Sequence, residues 1–179
     1  MGFLKVLGAI VCIILLVVAG VLIAARFADG PLEMIAGGPF SSGEQYAGAE
    51  PDWSFVRDMP TVQFQLIDPD RSRTTWIIEH EGKIYIPCGY MTTWWGRIWK
   101  KWPIEVEKDG RAILRINGKL YDRQLVRIKE GPELVPILRK LSVKYMGANP
   151  QEVAQVPEDQ ILQAVTSDYL WVFEMAPVS

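Results

Sequence analysis

Cysteine and histidine are scarce in this chain of 179 residues, which contains two cysteines and one histidine. Cys12 lies in an apolar run near the N-terminus and Cys88 in the remainder, so the two cannot cross-link one domain, and cysteine usage leaves the redox compartment open. The single histidine, His80, without paired cysteines excludes the usual zinc patterns. We interpret Cys88 and His80 as a small buried thiol and a surface imidazole rather than as a catalytic pair.

An excess of basic residues is also missing. The chain has 19 Lys and Arg against 21 Asp and Glu, which gives a formal net charge of -2. A protein whose main partner is nucleic acid normally presents a basic face, so nucleic acid is not an expected partner. The charge balance still permits a local basic pocket.

Residues 1–26 are dominated by one uncharged, apolar run from Val6 to Ala25. The run is as long as the roughly 20 residues that a helix needs to cross a bilayer. The apolar part of a cleaved signal peptide is normally shorter, about 7 to 15 residues, and ends in a small-x-small site that the sequence around Arg26 does not provide. Cys12 lacks the small residues that precede a lipidated cysteine. We therefore predict an uncleaved transmembrane anchor.

The orientation of this anchor depends on few charges. Lys5 and the amino terminus flank one side, whereas Arg26 on the other side is diluted by Asp29 and Glu33. The positive-inside rule then favours a cytoplasmic N-terminus. We predict a single-pass protein of the bacterial inner membrane whose C-terminal domain lies on the periplasmic side.

Residues 27–59 show no sustained hydrophobic period and are rich in Gly, Pro, Ser and acidic residues, with GGPFSSGE at their centre. This composition is typical of a linker or an irregular collar. Trp53 and Phe55 near its end are expected to dock it onto the domain that follows.

Residues 60–179 form one predicted domain built mainly of β-strands. TVQFQLID alternates polar and apolar side chains, as a half-buried strand requires. Two hairpins are predicted, one in RTTWIIEHEGKIYIPC around Glu81-Gly82 and one in RAILRINGKLYDRQLVRIK around Asn117-Gly118. GPELVPILRKLSVKY and PEDQILQAV predict helices, a further short helix is expected near Trp94 to Lys101, and DYLWVFEMAP predicts a closing strand. An antiparallel β-barrel with a few short helices is the expected fold class.

The order of these parts resembles the flavin-binding split barrel of pyridoxine (pyridoxamine) phosphate oxidases, flavin reductases and deazaflavin-dependent nitroreductases. RSRTTW at the start of a strand, YIPCG at the end of its partner, KKWP after it and the Asn-Gly hairpin carry the resemblance, which covers the region from Thr61 to Tyr145. KDG stands where the family has Asn-Pro, and the insertion YMTTWWGRIW is longer and more apolar than the family's. The resemblance implies an antiparallel split β-barrel, commonly a homodimer with the cofactor at the interface.

The resemblance also implies a phosphate-bearing cofactor, FMN or a deazaflavin. In such proteins an Arg and hydroxyl residues on the first hairpin, and a Lys after its partner strand, hold the cofactor phosphate. A guanidinium fork, hydroxyls and an ammonium group suit a phosphate, and an aromatic wall with backbone donors suits a flat ring. The candidate cofactor-binding residues are Arg71, Arg73, Thr74, Thr75, Cys88, Gly89, Lys100, Lys101 and Trp102. In the alternative interpretation the charges are solvated strand ends, Trp102 belongs to the core, and the pocket is empty or binds haem or lipid.

Four of the seven tryptophans lie between residues 94 and 102, among basic residues. Trp94, Trp95 and Trp99 recur at helical offsets, and short amphipathic basic helices of this kind lie at bilayer interfaces. We predict that these three side chains face membrane lipid or a hydrophobic substrate. Packing beneath the collar is the alternative.

Two functional hypotheses follow. In one, the chain is a membrane-anchored flavin- or deazaflavin-dependent oxidoreductase that acts on a lipophilic substrate such as a quinone, with a redox partner in the membrane and hydride chemistry supplied by the cofactor. In the other, it is a non-catalytic split-barrel module that serves a membrane complex. No side chain stands out as an acid or base catalyst, and neither hypothesis requires one.

Overall fold

The computed structural model describes residues 2–178, apart from the side chains of residues 97–99. Its helices are α1 (Gly2–Arg26), α2 (Trp94–Trp99), α3 (Trp102–Val106), α4 (Leu134–Met146), α5 (Pro150–Gln155) and α6 (Glu158–Thr166), with a 3-10 helix at Trp53–Asp58. Its strands are β1 (Glu44–Gln45), β2 (Val62–Leu66), β3 (Ser72–Thr75), β4 (Ile78–His80), β5 (Lys83–Gly89), β6 (Arg111–Ile116), β7 (Lys119–Ile128) and β8 (Leu170–Pro177). The helices and strands expected from the hydrophobic pattern are present, and β1, α3, α5 and the 3-10 helix are additional.

Helix α1 is apolar on all sides, and before its last turn its side chains are exposed within the described part of the chain. Phe3 and Leu16 are 79% and 72% exposed, and Ala25 is the buried residue of the helix. At 1.5 Å per residue the helix is about 37 Å long, which exceeds a hydrocarbon core of roughly 30 Å. Among residues 2–178 it is the one helix that is long and apolar enough to span a membrane.

The strands form one sheet in the order β3-β2-β6-β7-β8-β5-β4, antiparallel throughout, with β1 added parallel to β7. The two edge strands, β3 and β4, are separated in the chain only by Trp76 and Ile77. Because the chain from Thr75 to Ile78 spans at most about 11 Å, the two edges must approach each other. The sheet therefore curls into an antiparallel half-barrel, which confirms the expected fold class.

One hairpin differs from the prediction. β4 and β5 do pair around Glu81-Gly82, but Arg73 pairs with Phe64 of β2. The chain leaves one edge of the sheet for the other at Trp76 and Ile77. The prediction that the whole of RTTWIIEH pairs with KIYIPC is therefore wrong for its first half. The hairpin around Asn117-Gly118 forms as predicted, between β6 and β7.

Two hydrophobic clusters stabilise the domain. Neighbouring residues of a strand point to opposite faces, so Ile86 belongs to the cluster inside the curled sheet and Tyr85 to the cluster outside it. The inner cluster includes Phe64, Ile86, Trp102, Leu114 and Phe173. The outer cluster joins β4, β5 and β8 to α4 and α6, and includes Ile78, Tyr85, Leu138, Leu141 and Val172.

Residues 27–46 are the first part of the predicted linker of residues 27–59, and the name collar is used for them from here on; they lie along the sheet and are bonded to it. Arg115 of β6 binds the Asp29 carboxylate at 2.8 Å and the Asp29 carbonyl oxygen at 3.1 Å. β1 then adds the end of the collar to the sheet beside β7. A Cβ at Gly37 would collide with the Gly30 carbonyl group, so the turn between them requires glycine. The glycines of this segment therefore allow close packing.

Of the two residues near the end of residues 27–59 that were expected to dock, Trp53 docks as predicted. Trp53 is fully buried, and its Nε1 donates to the Glu50 carboxylate at 2.5 Å. Arg123 binds the same carboxylate at 2.8 Å and lies 4.8 Å from the centre of the Trp53 ring. Phe55 remains 41% exposed. Trp53 therefore provides most of the docking.

Candidate functional site

The candidate phosphate-binding arginine, Arg73, already has a partner. Its Nη2 lies 3.2 Å from Oε2 of Glu105 in α3, and its Nη1 donates to the Arg71 carbonyl oxygen at 3.2 Å. The Arg73 side chain is 18% exposed and that of Glu105 is 24% exposed. Burial lowers the pKa of Arg73, and the Glu105 carboxylate opposes that shift. Arg73 stays charged, but its charge is balanced within the chain.

Cys88 lies close enough to Arg73 and Lys100 for their charges to act on it. Its residue is 3% exposed, and burial raises the pKa of the thiol to about 11, with the charges of Lys100 and Arg73 opposing the rise. The Sγ atom lies 3.8 Å from Sδ of Met91. A thiol with this pKa is protonated at neutral pH, so Cys88 does not provide a nucleophile there.

Lys100 contacts the end of β5. Its Nζ donates to the Gly89 carbonyl oxygen at 3.4 Å and lies 5.2 Å from the centre of the Tyr90 ring. Four predicted residues thus come together at this end of the half-barrel, and we call them the Arg73 cluster: Arg73, Cys88, Gly89 and Lys100. The folding of α2 after β5 brings the lysine, at the C-terminal end of that helix, back to the strand end.

Trp102 is part of the inner core. It is 6% exposed, and its ring lies 5.0 Å from that of Phe64 and 5.2 Å from that of Phe173. Pro103, next to it, is buried as well. Helix α3 therefore fills the inside of the curled sheet. The same helix carries Glu105 to Arg73.

The remaining candidates of β3 are divided between two surfaces. Thr75 pairs with the buried Val62, whereas Thr74 pairs with Gln63 on the opposite face of the sheet. Arg71 donates through Nη2 to the Ala36 carbonyl oxygen at 2.7 Å. Its Nε is buried and has no hydrogen-bond partner in the part of the chain that the structure describes. The structure brings Thr75 towards the Arg73 side of β3 and places Thr74 away from it.

As placed in one chain, these residues do not fit a phosphate cradle. Lys101 is exposed, Arg73 is paired with Glu105, and Thr74 lies on the other face. A cofactor phosphate would have to displace the Glu105 carboxylate to reach Arg73. These residues also lack a histidine ligand for haem, because the single histidine, His80, lies beside the turn of the β4–β5 hairpin, opposite Lys83.

The candidate membrane-interface residues lie on α2. Trp94 is 77% exposed and Trp95 is 44% exposed, with the Trp95 ring 4.8 Å from that of Tyr90. Thr93 caps the helix by accepting from the Gly96 N–H at 3.1 Å. The side chain of Trp99 lies outside the described part of the chain. Contact of these residues with lipid stays a prediction.

Two cavities include residues that the sequence analysis did not single out. One, of about 660 Å³, lies between the collar and β2 and β6, where Asp29, Gln63, Thr74 and Arg115 are among its lining residues. The other, of about 620 Å³, lies between the 3-10 helix, β4, α4 and α5. Its lining includes Arg57, Glu79, Arg139, Lys140 and Lys144. In the sequence, the basic residues of RKLSVK were the one signal for this second cavity, because its other lining residues come from distant segments.

Comparisons with known proteins find similarity only to solved structures, at the level of the backbone fold. No protein-family model matches the chain, and no curated protein matches it. Among solved structures it is similar to the conserved hypothetical protein Rv2991 from Mycobacterium tuberculosis, with 12% identity, 76% of this chain and 86% of that chain covered, and a TM-score of 0.49. It is also similar to HutZ, the heme storage protein from Vibrio cholerae, with 6% identity, coverage of 70% and 86%, and a TM-score of 0.45. At these values neither likeness assigns a ligand or an activity to this chain.

Proposed function

We propose that this protein is a membrane-anchored split-barrel binding module that presents its domain to a membrane complex, on the periplasmic face of the bacterial inner membrane. The bonded connection between α1 and the sheet carries the proposal. Arg26, in the last turn of α1, lies 2.8 Å from the Asp70 carboxylate in the loop between β2 and β3. The domain is therefore attached directly at the end of the apolar helix.

The collar strengthens this attachment through the backbone. The Ser72 hydroxyl donates to the Gly38 carbonyl oxygen, and the Gly37 N–H donates to the Ser72 carbonyl oxygen at 3.0 Å. The Phe40 N–H donates to Oε1 of Gln65 at 2.6 Å. Each such bond contributes about 0.5–1.5 kcal/mol net, so several in a row hold the segment in one conformation. A short, bonded connection keeps the effective concentration of the domain at the bilayer surface high.

The chemistry of the domain favours binding over catalysis by its own side chains. The inner space holds Trp102 and other core residues, Arg73 is balanced by Glu105, and burial raises the pKa of the Cys88 thiol to about 11. None of these groups is poised to transfer a proton near neutral pH.

Quenching of tryptophan fluorescence by brominated lipid tests the proposed position at the bilayer. The full chain in nanodiscs of brominated phosphatidylcholine is expected to lose part of its emission, because Trp94 and Trp95 are exposed and amphipathic. The Trp94→Phe/Trp95→Phe variant should lose this quenched component. Trp76→Phe is the control, because Trp76 is 44% exposed but is stacked on Tyr145 at 4.6 Å. Equal quenching in the double variant and the wild type would contradict the proposal.

A flavin- or deazaflavin-dependent oxidoreductase is the second candidate, favoured by one observation. Arg73, Cys88, Gly89 and Lys100 lie together at one end of the half-barrel, as the family resemblance implies for a cofactor site. Such a function needs a rearranged Glu105 or a second copy of the chain to complete the site.

Titration of the full chain with FMN and with a deazaflavin separates the two candidates. The oxidoreductase requires binding that Arg73→Ala weakens by about tenfold or more, since a charge-assisted contact is lost. Arg111→Ala is the matched control, because Arg111 is exposed and is paired with the nearby Asp109 at 2.6 Å. If the wild type binds neither FMN nor the deazaflavin, the oxidoreductase hypothesis is excluded and the binding-module hypothesis remains.

A further inference from the structure

We propose that the groove between the 3-10 helix, β4, α4 and α5 binds a small anionic amphiphile, a molecule with one phosphate or carboxylate group on one alkyl tail. We call this site the basic groove. It is separate from the Arg73 cluster, so the inference holds for either candidate function. Its volume of about 620 Å³ is within the roughly 300–1,000 Å³ of small-molecule sites.

Positive charge is in excess among the residues that line the basic groove. Four cations line it, Arg57, Arg139, Lys140 and Lys144, against one carboxylate, Glu79. Glu79 is 4% exposed, and its Oε2 lies 2.6 Å from Nε of Arg57 and 3.7 Å from Nζ of Lys140. The single carboxylate is therefore shared by two of the cations.

The hydrogen bonds of the other two cations in the described part of the chain go to neutral oxygens, and Lys144 in addition feels the charge of the nearby Asp58 carboxylate. Lys144 donates to the carbonyl oxygens of Val56 and Ile77, both at 3.0 Å. Arg139 donates through Nη2 to the Val156 carbonyl oxygen at 3.2 Å. Carbonyl oxygens satisfy N–H groups but do not neutralise a charge, so an anion bound here would be attracted without displacing a carboxylate.

Arg139 adds a more specific indication. Its Nε is buried and has no hydrogen-bond partner among the described residues; the Nε atoms of Arg71 and Arg123 share this condition but do not line the groove. A buried donor without an acceptor costs free energy, so an unpaired group of this kind in a native structure needs an explanation, of which a bound ion is one. Arg139 also lines the groove, and its planar guanidinium, with five N–H donors, suits the oxygens of a phosphate or carboxylate.

The rest of the lining is apolar, which excludes a bare anion as the best ligand. Ile78, Val143, Pro150, Val153 and Ala154 complete the groove. An inorganic anion would leave these side chains in contact with water, whereas an alkyl chain would cover them. A neutral amphiphile would cover them but leave the positive charge unbalanced. The combination selects a molecule that has both parts.

The direct probe is octyl phosphate. It is titrated by calorimetry into the full chain in phosphatidylcholine nanodiscs, and the heat measured with empty nanodiscs is subtracted. Two variants of α5 form a matched pair. Ala154 lines the groove and Gln155 does not, and both are exposed. Ala154→Glu is expected to weaken binding about tenfold or more through like-charge repulsion with the probe, and Gln155→Glu to change it less than about twofold.

Arg139→Gln is a second test variant, which removes the charge and keeps an amide donor. It should also weaken the binding of octyl phosphate. Inorganic phosphate and octyl glucoside should each bind about tenfold more weakly than octyl phosphate. Equal affinity of the two α5 variants, or of octyl phosphate and either control ligand, would overturn the proposal. Binding of the full chain, held in phosphatidylcholine nanodiscs, to phosphatidylglycerol vesicles that Ala154→Glu abolishes, without octyl phosphate binding, would also overturn it, because the groove would then contact a second membrane surface.

Discussion

Glu105 of α3 lies 3.2 Å from Arg73 of β3, and this ion pair joins the tryptophan-rich insertion to the edge strand of the half-barrel. Both side chains are more than three-quarters buried. The pair therefore has two consequences, one for stability and one for the accessibility of Arg73 to a ligand.

Glu105→Gln is expected to lower the free energy of unfolding by about 1–2 kcal/mol, because the partly buried guanidinium loses its counter-charge but keeps an amide acceptor. Urea unfolding of the full chain in micelles, followed by tryptophan fluorescence, measures the change. Glu130→Gln is the control, since Glu130 is exposed and has no ion-pair partner in the described part of the chain. Equal stability of the two variants would show that the Arg73–Glu105 pair contributes nothing.

Trp102→Ala is expected to lower the free energy of unfolding by about 3–5 kcal/mol, because removal of a large core side chain leaves a cavity. Its ring packs against Phe64 and Phe173 inside the sheet. Trp94→Ala, at a 77% exposed position of the same insertion, should change stability by less than about 0.5 kcal/mol. Thermal unfolding of both variants checks this contrast. A similar loss in both would mean that Trp94 is also a core residue.

Arg115→Ala is expected to release the collar from the sheet. Its side chain is 14% exposed and binds Asp29, Ser42 and Gln63, so its removal should cost about 2–3 kcal/mol. Limited proteolysis should then cut within residues 27–46 much faster than in the wild type.

The matched control is Arg111→Ala in the same strand, where the arginine side chain is 63% exposed and pairs with nearby Asp109. An exposed pair contributes little, so its cleavage rate should stay close to that of the wild type. Unchanged cleavage in Arg115→Ala would contradict a bonded collar.

Stability is expected to fall in the alkaline range because of Cys88. Burial raises the pKa of its thiol from 9.0 to about 11. The folded state therefore holds the proton more tightly than the unfolded state, and the resulting stability is complete below pH 9 and is lost as the pH rises through about 11. In a Cys12→Ala background, Cys88→Ala should flatten the dependence of unfolding free energy on pH in this window. Identical slopes with and without Cys88 would refute this cause.

The sequence by itself determined the elements of the domain, because their signals are local along the chain. Alternation in TVQFQLID marks β2, and Asn117-Gly118 places the turn between β6 and β7. Helical spacing in GPELVPILRKLSVKY marks α4. The uncharged run from Val6 to Ala25 likewise specifies a helix able to span a bilayer.

Only the tertiary structure decided which of these elements meet. Arg73 pairs with β2 because the chain changes sheet edge at Trp76 and Ile77, and β-propensity along RTTWIIEH contains no information about that choice. The partnership of Arg73 with Glu105 and the convergence of four cations on the basic groove depend in the same way on segments far apart in the chain. Hydrophobic period and turn chemistry describe neighbours in sequence, whereas charge balance, the face that a side chain occupies and the filling of the barrel depend on neighbours in space.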